Sequence, residues 1–425
     1  MSTSDINGSY ARTREDRYEV HEGDTIIERY QIIKTIGAGK CSTVVVAWDV
    51  EDEKHVALKI NRREKRYEMA AMREIKTIVT LHKRSGGKCS SITDILAWFN
   101  LDGYVFEVLP FMNKNLFEIL VDRQFKPFDT ETLRLLLRQM VSSLGKMHNC
   151  GIIHTDIKPE NVMFYPTEEE KKGVPEVIPV MISLSLHLQN LTPDYNHLCL
   201  IDFGSVSSSS APKKGLITTR TYRAPEVILD LEWSLPCDMW SLGCMAYELG
   251  CGKPLFQTHR HFFGNREHLA LITKLLGKIP QCMLNALDPV NASMFNENGD
   301  LLWPPPVTRE IPEEKQPGGW ASNDISWNAR VRAIRAVRTA KTSIEFGLTD
   351  VDADFIDFVK RLVVIEPSAR MTIQQAAEHP FITKRGELPP ADVSVVCSSS
   401  EEKSWRAEKP GALAMVRVAT GQMGR

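Results

Sequence analysis

Asp156, Lys158 and Asn161 lie within one short segment, HTDIKPENVMF at 154–164, and Asp202 begins the DFG of IDFG at 201–204. A carboxylate, an ammonium two residues on and an amide three further are what a loop needs to hold a hydroxyl nucleophile beside ATP. An acid such as Asp202 is positioned to take Mg²⁺. The chemistry this implies is phosphoryl transfer to a protein hydroxyl.

The chain has room for the scaffold such chemistry needs. Its 425 residues can bury a large core, and 43% hydrophobic with 25% charged residues is the balance of a soluble globular protein. A net charge of −2 gives no bulk attraction to nucleic acid or to a membrane surface. Nine cysteines, an odd number without a C-x-x-C pair, form neither a disulfide framework nor a zinc site, so a reducing compartment is expected. The polar N-terminus is no signal peptide, and no apolar run approaches the roughly 18 residues of a membrane span. The expectation is a soluble intracellular protein.

Hydropathy patterning supplies the elements. Residues 1–25 are polar and aperiodic, which predicts a mobile arm. YQIIKTI, STVVVAW and KHVALKI then follow one another as an antiparallel meander, and EMAAMREIKTIVTLHK from Glu68 reads as a helix. Leu133, Leu136, Leu137, Met140, Leu144 and Met147 mark an amphipathic helix, with Asp129 as N-cap and Gly151 past its end. DMWSLGCMAYELG, 238–250, is apolar nearly all round and predicts a buried central helix. Inserts are expected at about 165–198 and 286–330, and a disordered tail over 385–425.

The catalytic segment and IDFG resemble the catalytic loop and magnesium motif of a eukaryotic protein kinase. The resemblance covers roughly residues 23–384. It implies an α+β, bilobal fold over 26–384, with a β-rich N-lobe (about 26–108) carrying one helix and a mainly helical C-lobe (about 109–384). It implies ATP and Mg²⁺ as cofactors and a monomeric catalytic domain. In kinase terms Asp156 orients the substrate hydroxyl and accepts its proton, Lys158 contacts the γ-phosphate, and Asn161 and Asp202 bind the metal. Gly37, Gly39 and Ser42 stand at a kinase G-x-G-x-x-G, so Ile36, Gly37, Ala38, Gly39, Lys40, Cys41, Ser42 and Val44 are assigned to ATP, with Ala57. Ser42 replaces the third glycine, as in SR-protein kinases. Lys59 of VALK would pair with the α/β-phosphates, held by Glu74. Phe106 is expected as gatekeeper, with the backbones of Glu107 and Leu109 meeting adenine. Glu226 of APE would pair with Arg370, and Asp238 would brace the catalytic loop.

YRAPE at 222–226 is similar to the CMGC group of kinases. HTD in place of HRD, GDTIIERYQIIKTIG, KRYEMAAMREI and EHLALITKLLG at 267–277 resemble the LAMMER, or Cdc2-like, family within it. That family implies Ser/Thr substrates with upstream basic residues met by Glu160, dual-specific autophosphorylation, a nuclear location, and a role in splicing-factor phosphorylation or at the kinetochore. Thr155 stands where most kinases carry an arginine that docks a loop phosphate, so activity should not wait on such a phosphate. Any regulatory phosphate would fall on Ser207 to Ser210, Thr218, Thr219 or Thr221, ahead of Arg223. The rival reading, a pseudokinase scaffold, requires a broken Lys59, Asp156 or Asp202, and none is broken.

Overall fold

Alternating apolar residues drive the meander the sequence predicts. In the computed structural model, β1 (Thr25–Ile26), β2 (Tyr30–Ala38), β3 (Ser42–Asp49), β4 (Lys54–Asn61), β5 (Ala97–Leu101) and β6 (Tyr104–Pro110) join one antiparallel sheet. The residues described are 16–85, 91–166, 195, 197–258, 264–303, 337, 340, 342–345, 348, 351–384 and the backbone of 416–417. The chain divides into two compact units, one of Met1–Leu116, Glu160–Val206 and Asp392–Arg425, the other of Phe117–Pro159 and Ser207–Ala391.

In the first unit α1 (Lys65–Arg84) follows β4, and the pair β7 (Val162–Phe164) and β8 (Leu198–Leu200) forms a separate ladder. Because strand side chains alternate, the sheet has two unlike faces. Ile32, Val45, Ala47, Leu58, Ile60, Phe99 and Phe106 share one and close an apolar cluster. Val44, Val46, Ala57 and Lys59 share the other, fixed by the pairs Val44↔Lys59 and Val46↔Ala57. Helix α1 buries Tyr67, Ala71, Glu74, Ile75, Ile78 and Leu81, a stripe at helical spacing.

Two segments depart from expectation. Residues 16–24, assigned to a mobile arm, are seated: the Tyr18 ring meets Tyr104 and Phe106 edge-on at 5.3 and 5.2 Å. In the tail, β9 (Val416–Arg417) pairs with β5 and completes the order β1-β2-β3-β4-β6-β5-β9. Most of the insert over 165–198, and 304–330 of the second, lie outside the described residues.

The second unit is helical: α2 (Leu116–Asp122, its first residue belonging to the first unit), α3 (Thr130–Asn149), α4 (Pro236–Cys251), α5 (Gly264–Leu276) and α6 (Ala353–Leu362), joined by shorter turns. Asp129 caps α3 by accepting the Thr132 N–H, and the six apolar residues read from its sequence are buried. Every residue of α4 from Cys237 to Gly250 is buried. Arg370 grips Glu226 through two bonds of 2.7 and 2.9 Å and spends its other N–H groups on backbone carbonyls, so this buried ion pair is fully hydrogen-bonded. No helix among the described residues is long and apolar enough to cross a membrane.

Helix α4 stops at Gly252, whose φ of 73° only glycine adopts without strain, and a Cβ there would lie 1.8 Å from the Phe125 carbonyl oxygen. Gly252→Ala must therefore displace the loop after α2, and we expect a loss of about 2 kcal/mol or more in urea unfolding. An unchanged midpoint would mean that this loop is not docked on the helix end.

Candidate active site

The first unit assembles one set of the residues singled out above. Between β2 and β3 the chain turns with a single internal backbone bond, from Gly39 N–H to the Ser42 carbonyl at 2.9 Å. A Cβ on Gly37 would meet nothing, and one on Gly39 only the Ser42 oxygen at 3.8 Å. Packing inside the chain therefore does not demand these glycines. Without side chains at these two positions the loop backbone can be approached closely, which suits an anionic ligand.

Lys59 reaches from β4 to α1, where its ammonium donates to Glu74 at 2.6 Å, and lies 3.5 Å from Asp202. Burial acts against its charge, but Glu74, Glu107 and Asp202 outweigh that and hold its pKa well above the ordinary lysine range. The other Glu74 oxygen accepts the Phe203 N–H at 3.2 Å, so one carboxylate ties the lysine to the DFG backbone. Gly204 lies close beside it, and a Cβ there would stand 3.2 Å from Glu74 Oε2, a tight contact with the oxygen that holds Lys59.

The β7–β8 ladder explains how Asn161 and Asp202 come to one end of a sheet. Val162 pairs with Leu200, so the residue before β7 and those after β8 leave the ladder together, and Ile201 N–H donates to the Asn161 carbonyl at 3.0 Å. Asp202 takes a left-handed φ of 65°, and Asn161 is buried. One carboxylate and one amide are hard oxygen donors too few to cage an ion alone. They fit Mg²⁺, which shares its shell with phosphate and water.

The second unit holds the other set. Asp238, buried on α4, accepts the N–H groups of His154 and Thr155 at 2.8 Å each and bonds His148 at 3.0 Å. Thr155 is thereby held at φ 72°. Next to it, Asp156 receives Lys158 on one oxygen at 2.6 Å, and on the other the Thr219 N–H at 2.9 Å and hydroxyl at 2.8 Å. Burial opposes ionisation of Asp156, yet these donors and the lysine charge hold its pKa below the usual carboxylate range.

Several expectations change. Phe106 does not face Lys59: its ring stacks on Phe99 at 4.8 Å within the apolar cluster of the opposite sheet face. The residues opposite Lys59 and Ala57 are Glu107 and Leu109. Nor is the Glu107 backbone open to a ligand, because it pairs with Lys59 on one side and Trp98 on the other. Thr219, expected as a phosphate acceptor, is bonded to Asp156 and Lys158. Arg223 is buried and donates to the Ile217 and Thr218 carbonyls. Thr218 and Thr221 are half-buried beside it. Cys41 is exposed at the loop tip, whereas Cys199 is buried in β8. Glu160 keeps one buried oxygen without a partner among the described residues.

Glu107, expected only to offer its backbone, stands as a carboxylate in the apolar run YVFEVLP. Fully buried, it accepts Asn61 Nδ2 at 2.6 Å, while its second oxygen has no hydrogen-bond partner among the described residues. Burial first, then the Glu74 charge, push its pKa up to about 8 against the pull of Lys59 and Asn61. A carboxyl raised in the folded state stabilises fully below its ordinary 4.5, and that contribution is lost as pH rises through about 8. Glu107→Gln, which cannot ionise, should gain thermal stability relative to the parent as pH rises from about 5 to 8. Parallel melting-temperature profiles would show that Glu107 does not titrate in that window.

Comparison with known proteins places this geometry. The protein kinase domain family model matches residues 30–382. The serine/threonine-protein kinase AFC2 of Arabidopsis thaliana is 32% identical over 384 residues, 89% of this chain and 83% of that protein. The dual specificity protein kinase CLK4 of Homo sapiens is 30% identical over 378 residues, 87% of this chain and 70% of that protein. In fold the chain is similar to the crystal structure of the PF14_0431 kinase domain, with a TM-score of 0.68, 23% identity and coverage of 87% of this chain and 99% of that one. A family match over most of the chain, relatives of one kind and an unbroken Lys59, Asp156 and Asp202 lead to one assignment: the chain belongs to the protein kinases, as a serine/threonine kinase of the LAMMER, Cdc2-like family in the CMGC group.

Proposed function

We propose that the chain transfers the γ-phosphate of ATP, with Mg²⁺, to serine or threonine in proteins whose sites carry basic residues upstream. The observation that carries this reading is Asp156, a carboxylate kept ionised by Lys158 and Thr219 and so ready to accept a hydroxyl proton. Lys158, bonded to both Asp156 and Thr219, carries the positive charge that a γ-phosphate needs beside the acceptor. Lys59, fixed by Glu74, holds the α/β-phosphates, and the amides of the Gly37–Ser42 turn cover them. Asn161 and Asp202 would hold the metal, which neutralises charge on the phosphates when bound.

Adenine sits under Ile36, Val44 and Ala57. Leu109, on the Lys59 face, takes the gating place first given to Phe106. The backbone that meets the base then lies after it, at 110–112, where the chain leaves β6 and Pro110 has no N–H to give. Glu160, half-buried in the turn after Lys158, receives the basic side chain of the substrate. Thr155 removes the arginine that would dock a loop phosphate, so the unphosphorylated protein is active. By analogy with the LAMMER family the cellular role is phosphorylation of splicing factors or of kinetochore proteins in the nucleus.

The test is a positional peptide library assayed with phosphatase-treated full-length protein. We expect turnover without prior phosphorylation, a preference for Arg or Lys upstream of the acceptor, and loss of that preference in Glu160→Ala. Asp156→Asn should lower turnover by about 10²–10⁴ while ATP still binds. Near parental turnover in Asp156→Asn would remove it as the base, and equal rates for Arg and Ala at every upstream position would end the basic-substrate reading. If dephosphorylation silences the enzyme, another group docks a phosphate in place of the missing arginine.

A further inference from the structure

The kinase family match begins at residue 30, yet a side chain thirteen residues earlier is bonded to the glycine loop. Arg17 Nη2 donates to the Gly39 carbonyl at 2.6 Å and Nη1 to Thr43 Oγ1 at 3.3 Å, so one guanidinium spans both sides of the turn. Its segment is anchored on either side of it. The Asp16 carbonyl accepts Arg63 N–H at 3.1 Å, and Tyr18 packs on Tyr104 and Phe106. The neighbouring Arg62 N–H, also at 3.1 Å, holds the Cys41 carbonyl at the loop tip. Two consecutive amides after β4 thus secure the strap and the loop together.

Strand register tells from which side Arg17 acts. Thr43 pairs with Ile60, and Ile60 with Phe106, so the Thr43 hydroxyl stands on the sheet face that Tyr18 covers. Val44 and Lys59 occupy the opposite face. A trans peptide points its C=O and the next N–H in opposite directions. Drawing the Gly39 carbonyl toward Arg17 therefore turns the Lys40 N–H toward the Lys59 face. With no Cβ at residues 37 and 39, no side chain of these residues restrains that peptide plane.

We propose that Arg17 is a positioning residue for nucleotide binding: from outside the matched kinase domain it sets the orientation in which the glycine loop offers its amides to the phosphates. This rests on reading residues 37–42 as the phosphate cradle, and the test separates the two. Full-length Arg17→Ala should raise KM for ATP about three- to tenfold with kcat within about twofold, and Arg17→Lys should recover part of the loss. Binding of ATP and ADP should weaken, while adenosine, which has no phosphate, should bind as before. Gly39→Val serves as the reference for the cradle.

If Gly39→Val weakens ATP but Arg17→Ala does not, the role of Arg17 is refuted and the cradle stands. If neither variant distinguishes ATP from adenosine, the cradle reading fails and the proposal with it. If Arg17→Ala lowers melting temperature and kcat together and weakens adenosine equally, Arg17 merely supports the fold and the proposal is overturned.

Discussion

A buried carboxylate is tolerated only when donors replace the water it has lost, and Asp238 has three. Two are consecutive backbone amides, His154 and Thr155, and their convergence on one side chain bends the chain there. Thr155 is held in a left-handed conformation that costs a non-glycine residue of order 1–3 kcal/mol. That bend is what turns Asp156 toward Lys158 and Thr219. Its rigidity comes from α4, which is buried along almost its whole length and closely approached by α6. A Cβ on Gly243 would stand 2.7 Å from the Leu362 and Val363 side chains, and one on Gly250 2.8 Å from Phe355. Small residues on an apolar helix thus fix the anchor of a polar loop some distance along the chain.

The first unit uses the same device with other residues. Glu74, buried on α1, gives one oxygen to Lys59 and one to the Phe203 amide, and the residue before that amide, Asp202, again has positive φ. In both units a helix-borne carboxylate captures backbone N–H at or next to a residue of positive φ, Thr155 in one and Asp202 in the other. The strain is not compensated locally. It is carried by helices whose own burial is apolar, as the stripe on α1 and the all-round burial of α4 show.

Chemistry at fixed spacing was legible in the sequence because few other uses exist for Asp-x-Lys-x-x-Asn followed by DFG. Helix α3 was legible because its six apolar residues repeat at helical spacing and Asp129 caps it. The misreadings share a cause. Phe106 differs from Glu107 and Leu109 by which face of the strand it occupies, and that parity is set by pairing with β4, more than forty residues away along the chain. Residues 16–24 look like a polar arm because Arg17 and Tyr18 find their partners on the sheet rather than on each other. Thr219 reads as one hydroxyl among several, and only the fold aims it at Asp156. Local pattern conveys element type, while long-range register decides which side chain faces the chemistry.

The segment before YRAPE is held without the arginine that Thr155 replaces. Thr219 is bonded through its amide and its hydroxyl to Asp156, and Arg223 turns back onto the Ile217 and Thr218 carbonyls. Tyr222 donates its hydroxyl to the buried Glu248 at 2.5 Å, and its carbonyl accepts Ser241 Oγ at 2.8 Å. Every one of these bonds uses groups the unmodified chain already has. An arginine at 155 would bring a buried charge that only a phosphate or a carboxylate could neutralise, and the site would then be complete only in its modified form. With threonine there, the neutral side chain needs no counter-ion, and order in the segment follows from the core helix behind it. Regulation of such an enzyme would therefore have to act on parts whose positions are less fully determined. The glycine loop is one such part, with one internal bond and a tether reaching it from outside the kinase domain match.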